Sequence, residues 1–207
     1  SSVIPRILAI KLNANGDTVH KFIFTAGNSM CAVHDFIQIA ENRFYIKDGI
    51  FLENIDSTGH RHWGKNYGDT CISNMIVRTD GSVINAGADP NIPNYQVCMF
   101  RYDSTGGLTW EKNVIIGTNE TVRSMCSTTD GSFFITGVIS SETQEQFPYV
   151  AKILSNGSLQ GKTDFTEMKG AGFKPIVIFE EGGKFLYFGY CKNYSGKSGI
   201  VIKKGNL

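Results

Sequence analysis

The chain has 207 residues, with 20 Lys and Arg against 19 Asp and Glu; hydrophobic residues make up 41% and charged residues 19%. That length holds one ordinary domain with a real core. The net charge of +1 gives no excess of Lys and Arg for phosphate, so no nucleic-acid partner is expected. No apolar run reaches the roughly 18 residues of a membrane-spanning helix, so no membrane span is expected, and Ser1-Ser2-Val3-Ile4-Pro5-Arg6 lacks the apolar core of a signal peptide.

Strand 7–12 opens the chain and runs into the polar turn Asn13-Ala14-Asn15-Gly16. The same unit, an apolar strand and then a short polar turn with Gly, returns as Asn54-Ile55-Asp56-Ser57-Thr58-Gly59 and as Arg101-Tyr102-Asp103-Ser104-Thr105-Gly106. It comes again as Lys152-Ile153-Leu154-Ser155-Asn156-Gly157, and last as Val201-Ile202-Lys203-Lys204-Gly205. The turn glycines stand 43, 47, 51 and 48 residues apart. A second landmark alternates with the first. Thr79-Asp80-Gly81-Ser82-Val83-Ile84-Asn85-Ala86-Gly87 matches Thr129-Asp130-Gly131-Ser132-Phe133-Phe134-Ile135-Thr136-Gly137 position for position. Glu181-Gly182-Gly183-Lys184-Phe185 is a third copy and Glu41-Asn42-Arg43-Phe44 a weaker one. Asp-Gly and Glu-Gly-Gly between apolar runs read as tight hairpin turns, because Gly takes positive φ without steric cost.

Periods of this length with four short strands each are propeller blades, and no stretch keeps a helical apolar period. The expected fold is all-β: a small β-propeller of about four four-stranded blades with 43–51-residue repeats. It forms a single domain over 1–207, with repeats near 5–49, 50–94, 95–147 and 148–198 and a partial strand at 199–207. With blade strands labelled a to d, a ends at the Asp-Gly turn (Asn74–Arg78), b is Ser82–Gly87, c is Tyr95–Tyr102, and d begins near Trp110. Strands a, b and d occur four times, but c occurs five times, at 7–12, 50–55, 96–102, 149–154 and 199–203. One c strand is therefore surplus. A closed four-blade ring with one strand laid along an edge, a piece of a larger ring, and a homodimer through the surplus edge strand all satisfy the count.

Asp56-Ser57-Thr58-Gly59-His60-Arg61-His62-Trp63 and Asp103-Ser104-Thr105-Gly106-Gly107-Leu108-Thr109-Trp110 resemble the blade signature of quinoprotein-like propellers, with Trp four residues after the Gly. The Asp-to-Gly spacing is one residue shorter than in that family, and His20 and Gly161 occupy the Trp slot of the other repeats. The chain is equally similar to the D-x-x-G-x-x-x-W repeats of bacterial surface and secreted propellers. Asp-box propellers of sialidase type look alike too, with an Asp-to-Trp spacing shorter by two. The resemblance implies a blade, not a chemistry, since such families include dehydrogenases, lectins and scaffolds. The quinone of the dehydrogenases needs a cation site and a larger ring, neither of which is written here, so no cofactor is expected.

Trp63 and Trp110 share one repeat position, which points to packing between blades, and the turn residues Asp56, Asp80, Asp103 and Asp130 read as caps for turn amides. His60, His62, Asp69 and Cys71 have no counterpart in other repeats, so no metal site is expected. Five cysteines, 27 to 65 residues apart and without a CxxC pair, fit buried free thiols and a cytoplasmic setting, whereas the resemblance implies a secreted or surface one. No nucleophile elbow, phosphate loop or zinc motif occurs. Glu180-Glu181 and Glu142/Glu145 fall at a turn and a polar loop, which gives no catalytic residue.

The a–b and c–d turns are short throughout, while the b–c and d–a loops vary, and in a meander blade those two emerge on one face. Variable loops on a rigid scaffold are where binding resides. Tyr67, Asp69, Asn94, Asn119, Glu120, Gln144 and Tyr194 in these loops are the expected ligand-binding residues, with Asn91 and Gln146 beside them. Amides and carboxylates near aromatics suit a carbohydrate or protein partner. The expected function is thus a non-catalytic binding or interaction module, lectin-like in its first form. The alternatives are a structural component of a larger surface or virion assembly, and a propeller hydrolase or lyase.

Overall fold

A computed structural model describes residues 6–25, 33–48, 50–67, 71–89, 91, 95–140, 145–168, 174–192 and 198–206. β1 (Arg6–Leu12) and β2 (Thr18–Thr25) form a two-stranded antiparallel hairpin. β3 (Val33–Ala40), β4 (Arg43–Asp48), β5 (Phe51–Asp56) and β6 (Arg61–Asn66) make a four-stranded meander. A second meander holds β7 (Cys71–Val77), β8 (Val83–Ala88), β9 (Val97–Tyr102) and β10 (Leu108–Val114). The third holds β11 (Thr121–Ser127), β12 (Phe133–Ser140), β13 (Gln146–Ile153) and β14 (Leu159–Asp164). Three strands close the chain: β15 (Lys174–Glu181), β16 (Lys184–Lys192) and β17 (Ser198–Gly205). The repeats read from sequence run c-d-a-b, whereas the sheets assemble as a-b-c-d, so each repeat boundary falls inside a sheet. Periodicity fixes the length of a repeat but not its phase; hydrogen bonding across the b–c loop decides the phase.

The fold is described in two compact units, Ser1–Gly68 and Asp69–Leu207. In the first, Phe44, Ile46 and Ile55 of the β3–β6 sheet form a small core against Ala9 of the hairpin. In the second, one core lies between the β7–β10 and β11–β14 sheets, with Ile84, Ala86, Val97 and Met99 facing Phe133, Ile135, Tyr149 and Ala151. Another lies between β11–β14 and β15–β17, where Phe134 and Val150 meet Ile178, Phe185 and Tyr187. The β11–β14 sheet is thus covered on both sides, which is why β12 is apolar at successive positions rather than alternating. Each fully buried Phe or Ile contributes about 2 kcal/mol. Trp110 packs on the first of these cores, and the ring of Trp63 lies 5.3 Å from that of Tyr45, so the two matched tryptophans are packing residues.

Both sequence landmarks are one turn. In the c–d turn the Asp103 N–H donates to Gly107 O at 2.9 Å and Gly106 N–H to Asp103 O at 3.0 Å. In the a–b turn Thr128 N–H donates to Ser132 O at 3.0 Å and Gly131 N–H to Thr128 O at 3.1 Å. Gly106 and Gly131 take φ of 88° and 82°, the left-handed position of a three-residue hairpin loop. The aspartates cap these turns as expected. Asp103 Oδ1 accepts from Thr105 N–H, Thr105 Oγ1 and Gly107 N–H at 2.7–2.8 Å, and Asp56 is bonded alike. Bonds from the Thr58 hydroxyl first, and then from turn amides, hold Asp56 at about 2 against an ordinary 3.8. Asp80 is lowered by Ser82, Asp103 by Thr105, and Asp130 chiefly by Lys152, whose Nζ lies 2.7 Å from Asp130 Oδ2.

Gly137 is fixed by close approach. A Cβ there would lie 1.6 Å from Thr121 O and 3.0 Å from the Tyr149 ring, while the Tyr149 hydroxyl donates to that same Thr121 O at 3.0 Å. Gly137→Ala is expected to cost about 3 kcal/mol in urea unfolding. At Gly161 an added Cβ meets nothing within 4 Å, and Gly161→Ala should leave stability within about 0.5 kcal/mol or raise it. The depressed carboxyl groups contribute stability that is present above their ordinary range and lost as pH falls through it. Melting temperature should therefore drop between about pH 5 and pH 2, and the double variant Asp56→Asn, Asp103→Asn should flatten that limb; a wild-type profile flat over this range would contradict the turn account.

Candidate functional site

Of the loop residues expected to bind a ligand, Asp69, Asn94, Gln144 and Tyr194 lie outside the described residues. Tyr67 follows β6, half-buried, with its N–H donating to Ile50 O at 2.9 Å. Asn119 is half-buried at a positive φ of 49°, Asn91 N–H donates to Asp89 Oδ1 at 2.8 Å, and Gln146 is exposed where β13 begins.

Glu120 turns inward. It is 1% exposed, and its carboxylate accepts from Val97 N–H at 2.9 Å, from Ile116 N–H at 2.5 Å and from Gly117 N–H. Its own N–H donates to Tyr95 O at 3.0 Å. Burial pushes this carboxyl above its ordinary value, while the three amides pull the other way. An acidic residue in a variable loop reads as a ligand group from sequence; here it fastens the loop 116–120 to the start of β9. Its oxygens accept from backbone amides.

Other reactive side chains are likewise engaged or muted. The His60 and His62 rings meet edge to face at 5.3 Å, and His62 Nε2 lies 3.4 Å from Asp56 Oδ2, within their own turn. Burial pushes the free thiols of Cys98 and Cys126 up to about 12 and about 11, far from thiolate chemistry at neutral pH. Glu181 pairs with Lys204 on the surface, and Glu180 caps Gly183 N–H.

A cavity of about 520 Å³ lies in the first unit, between the β1–β2 hairpin and the β3–β6 sheet. It forms because the hairpin presents the small Ala9 to Phe44, leaving open space beside that contact. Phe36 and Phe44, neighbours across β3 and β4, set their rings 5.1 Å apart at 30°. Lys11 and His20 come from the hairpin, Gln38 from β3, Glu41 and Asn42 from the β3–β4 turn and Ser57 from the β5–β6 turn. His20 Nε2 lies 3.2 Å from Ser57 O. These groups cluster at the short-turn ends of three hairpins, away from the variable loops. Sequence reasoning missed them because short regular turns carry no sign of ligand binding; the one signal was a small residue, Ala9, inside an otherwise bulky strand.

The hairpin also exposes apolar side chains. Leu8, Ile10, Leu12, Val19 and Ile23 are 48–58% exposed, with Leu8 opposite Ile23 and Ile10 opposite Lys21 in the ladder, and Ile10 and Val19 also border the cavity. The β15–β17 sheet does the same in the second unit: Phe179, Ile200 and Ile202 are 50%, 78% and 59% exposed, and Ile202 pairs with Phe188. Among the described residues no helix is long and apolar enough to cross a membrane.

No family profile matches the chain, and no curated protein matches it. Solved structures do. A protein of unknown function from Bacteroides caccae is 12% identical with a TM-score of 0.60, over 99% of this chain and 74% of that one. The Dos1 propeller is 12% identical at a TM-score of 0.57, over 92% of this chain and 51% of its own. The WD40 domain of Neurospora crassa Pan2 is 10% identical at 0.55, over 85% and 50%. The chain therefore spans about three-quarters of the first and half of the other two. Likeness at such identities speaks for fold alone and for no particular repeat family. Together with the four-stranded meanders, it makes this chain an all-β repeat protein of the β-propeller fold.

Proposed function

We propose that the chain is a non-catalytic interaction module and a structural component of a larger assembly, in which it joins a second copy of itself. The observation that carries this reading is the pair of exposed apolar sheet faces, Leu8, Ile10 and Ile23 on the hairpin and Phe179, Ile200 and Ile202 on β15–β17. Single exposed hydrophobes are ordinary, but contiguous ones on one sheet face mark an interface. Strand content supports the same view. Among the described residues β17 stands at the edge of a three-stranded sheet and β1–β2 forms a two-stranded one, and edge strands present backbone N–H and C=O groups for pairing. The contact is head to tail: β15–β17 of one copy against β1–β2 of the next, a heterologous interface.

The carbohydrate partner expected at the variable loops has little support there, since most of the residues named for it lie outside the described chain and Glu120 is turned inward. A hydrolase or lyase draws no support from the raised thiols or the surface glutamates.

Light scattering on a sizing column tests the assembly. The expected mass is at least twice 22.8 kDa. Ile200→Glu in one face, or Leu8→Glu in the other, should weaken association about 100-fold with an unchanged melting temperature, because both side chains are already exposed. Mixing the two variants should restore a pair, each supplying the face the other lacks. A wild-type monomer, or two variants that stay monomeric together, would overturn the head-to-tail proposal.

A further inference from the structure

The cavity of the first unit has a floor and a rim of different chemistry. Its floor is aromatic: Phe44 is buried, but Phe36 is 43% exposed, so one ring presents surface to the open space. The rest of its lining is largely polar and nearly balanced in charge, with Lys11, Glu41 and the amides of Gln38 and Asn42 among its residues. Gln38 is held in place. Its Nε2 donates to Ala40 O at 2.9 Å and to Glu41 O at 3.1 Å, which fixes the side chain and leaves its Oε1 as an acceptor.

We propose that this cavity binds a neutral carbohydrate of one or two rings. A pyranose has an apolar C–H face and a girdle of hydroxyl groups. The Phe36 ring takes the face, as aromatic side chains take flat apolar surfaces, and the amides and the Glu41 carboxylate take hydroxyl donors at the edge. A volume of about 520 Å³ suits a ligand of that size. A phosphate or sulfate ester is disfavoured, because the lining offers one lysine, Lys11, and also carries a carboxylate, Glu41. The lining also favours binding over cleavage. Glycoside hydrolysis calls for a pair of carboxyl groups about 5–10 Å apart, and Glu41 is the one carboxylate among the lining residues. The site lies wholly within the first unit.

Nitrogen-15-labelled protein titrated with glucose, galactose, mannose, N-acetylglucosamine, lactose and cellobiose tests this. The expected result is saturable shifts at residues 36–44 and 57 for at least one sugar, with a dissociation constant on the order of millimolar. Phe36→Ala should weaken it about tenfold, Phe36→Trp should restore it, and Asn42→Ala should weaken it without altering the melting temperature. The titration is repeated on the Ile200→Glu variant, whose lesion lies outside the cavity. Binding retained by this variant shows the sugar site to be independent of association, and binding to a wild-type protein that is monomeric by light scattering would sustain the sugar site while removing the assembly reading. No saturable shift with any of the six sugars, shifts insensitive to Phe36→Ala, or equal shifts with adenosine would overturn the carbohydrate assignment.

Discussion

A strand that is apolar on both faces has to be covered on both faces. The middle strands of this chain obey that constraint throughout: β8 reads Val83-Ile84-Asn85-Ala86 and β12 reads Phe133-Phe134-Ile135, all buried. In the second unit the result is visible as two cores on opposite sides of the β11–β14 sheet. Face-to-face stacking of meanders is the arrangement that satisfies such strands, with each blade supplying the cover for the next. The same constraint is left open where only one neighbour is present. Among the described residues the hairpin β1–β2 and the strands β15–β17 carry apolar side chains into a core and expose others, such as Leu8 and Ile200. The proposed self-association is the stacking rule carried one step further.

Stacking sets the spacing of the sheets, and the turns set the register within them. One turn geometry recurs in a–b and c–d connections alike, as at Asp130-Gly131 and Asp103-Gly106, built from a left-handed Gly and an Asp whose carboxylate collects turn amides and a hydroxyl. That chemistry is local, so it recurs without regard to what lies beyond the turn. It also leaves the short-turn ends regular enough for a hairpin to approach a neighbouring sheet, and the cavity of the first unit opens at such an approach. Ala9 is small where its neighbours Leu8 and Ile10 are large, and the space it leaves is framed by Phe36, Phe44 and polar turn residues. The proposed recognition site, at the short-turn ends of these hairpins, runs against the usual association of binding with variable loops. Here the governing factor is a local packing gap and not loop length.

The sequence by itself determined the strands, their order and their turns. Hairpin geometry depends on residues within five positions of one another, and strand type on a period of two, so the labels a to d and the fivefold count of c strands emerge from spacing alone. The inward course of Trp63 and Trp110 was legible for the same reason, since a repeated position implies a repeated environment. Only the tertiary structure decided the inward turn of Glu120, the gap beside Ala9 and the exposure of Leu8 and Ile200. Each of these depends on which surface lies opposite a side chain, and residues that meet across sheets are far apart in the chain. Glu120 shows the difference: a carboxylate in a loop has the same local sequence whether it faces solvent or gathers the amides of Val97, Ile116 and Gly117, and only the approach of β9 settles which.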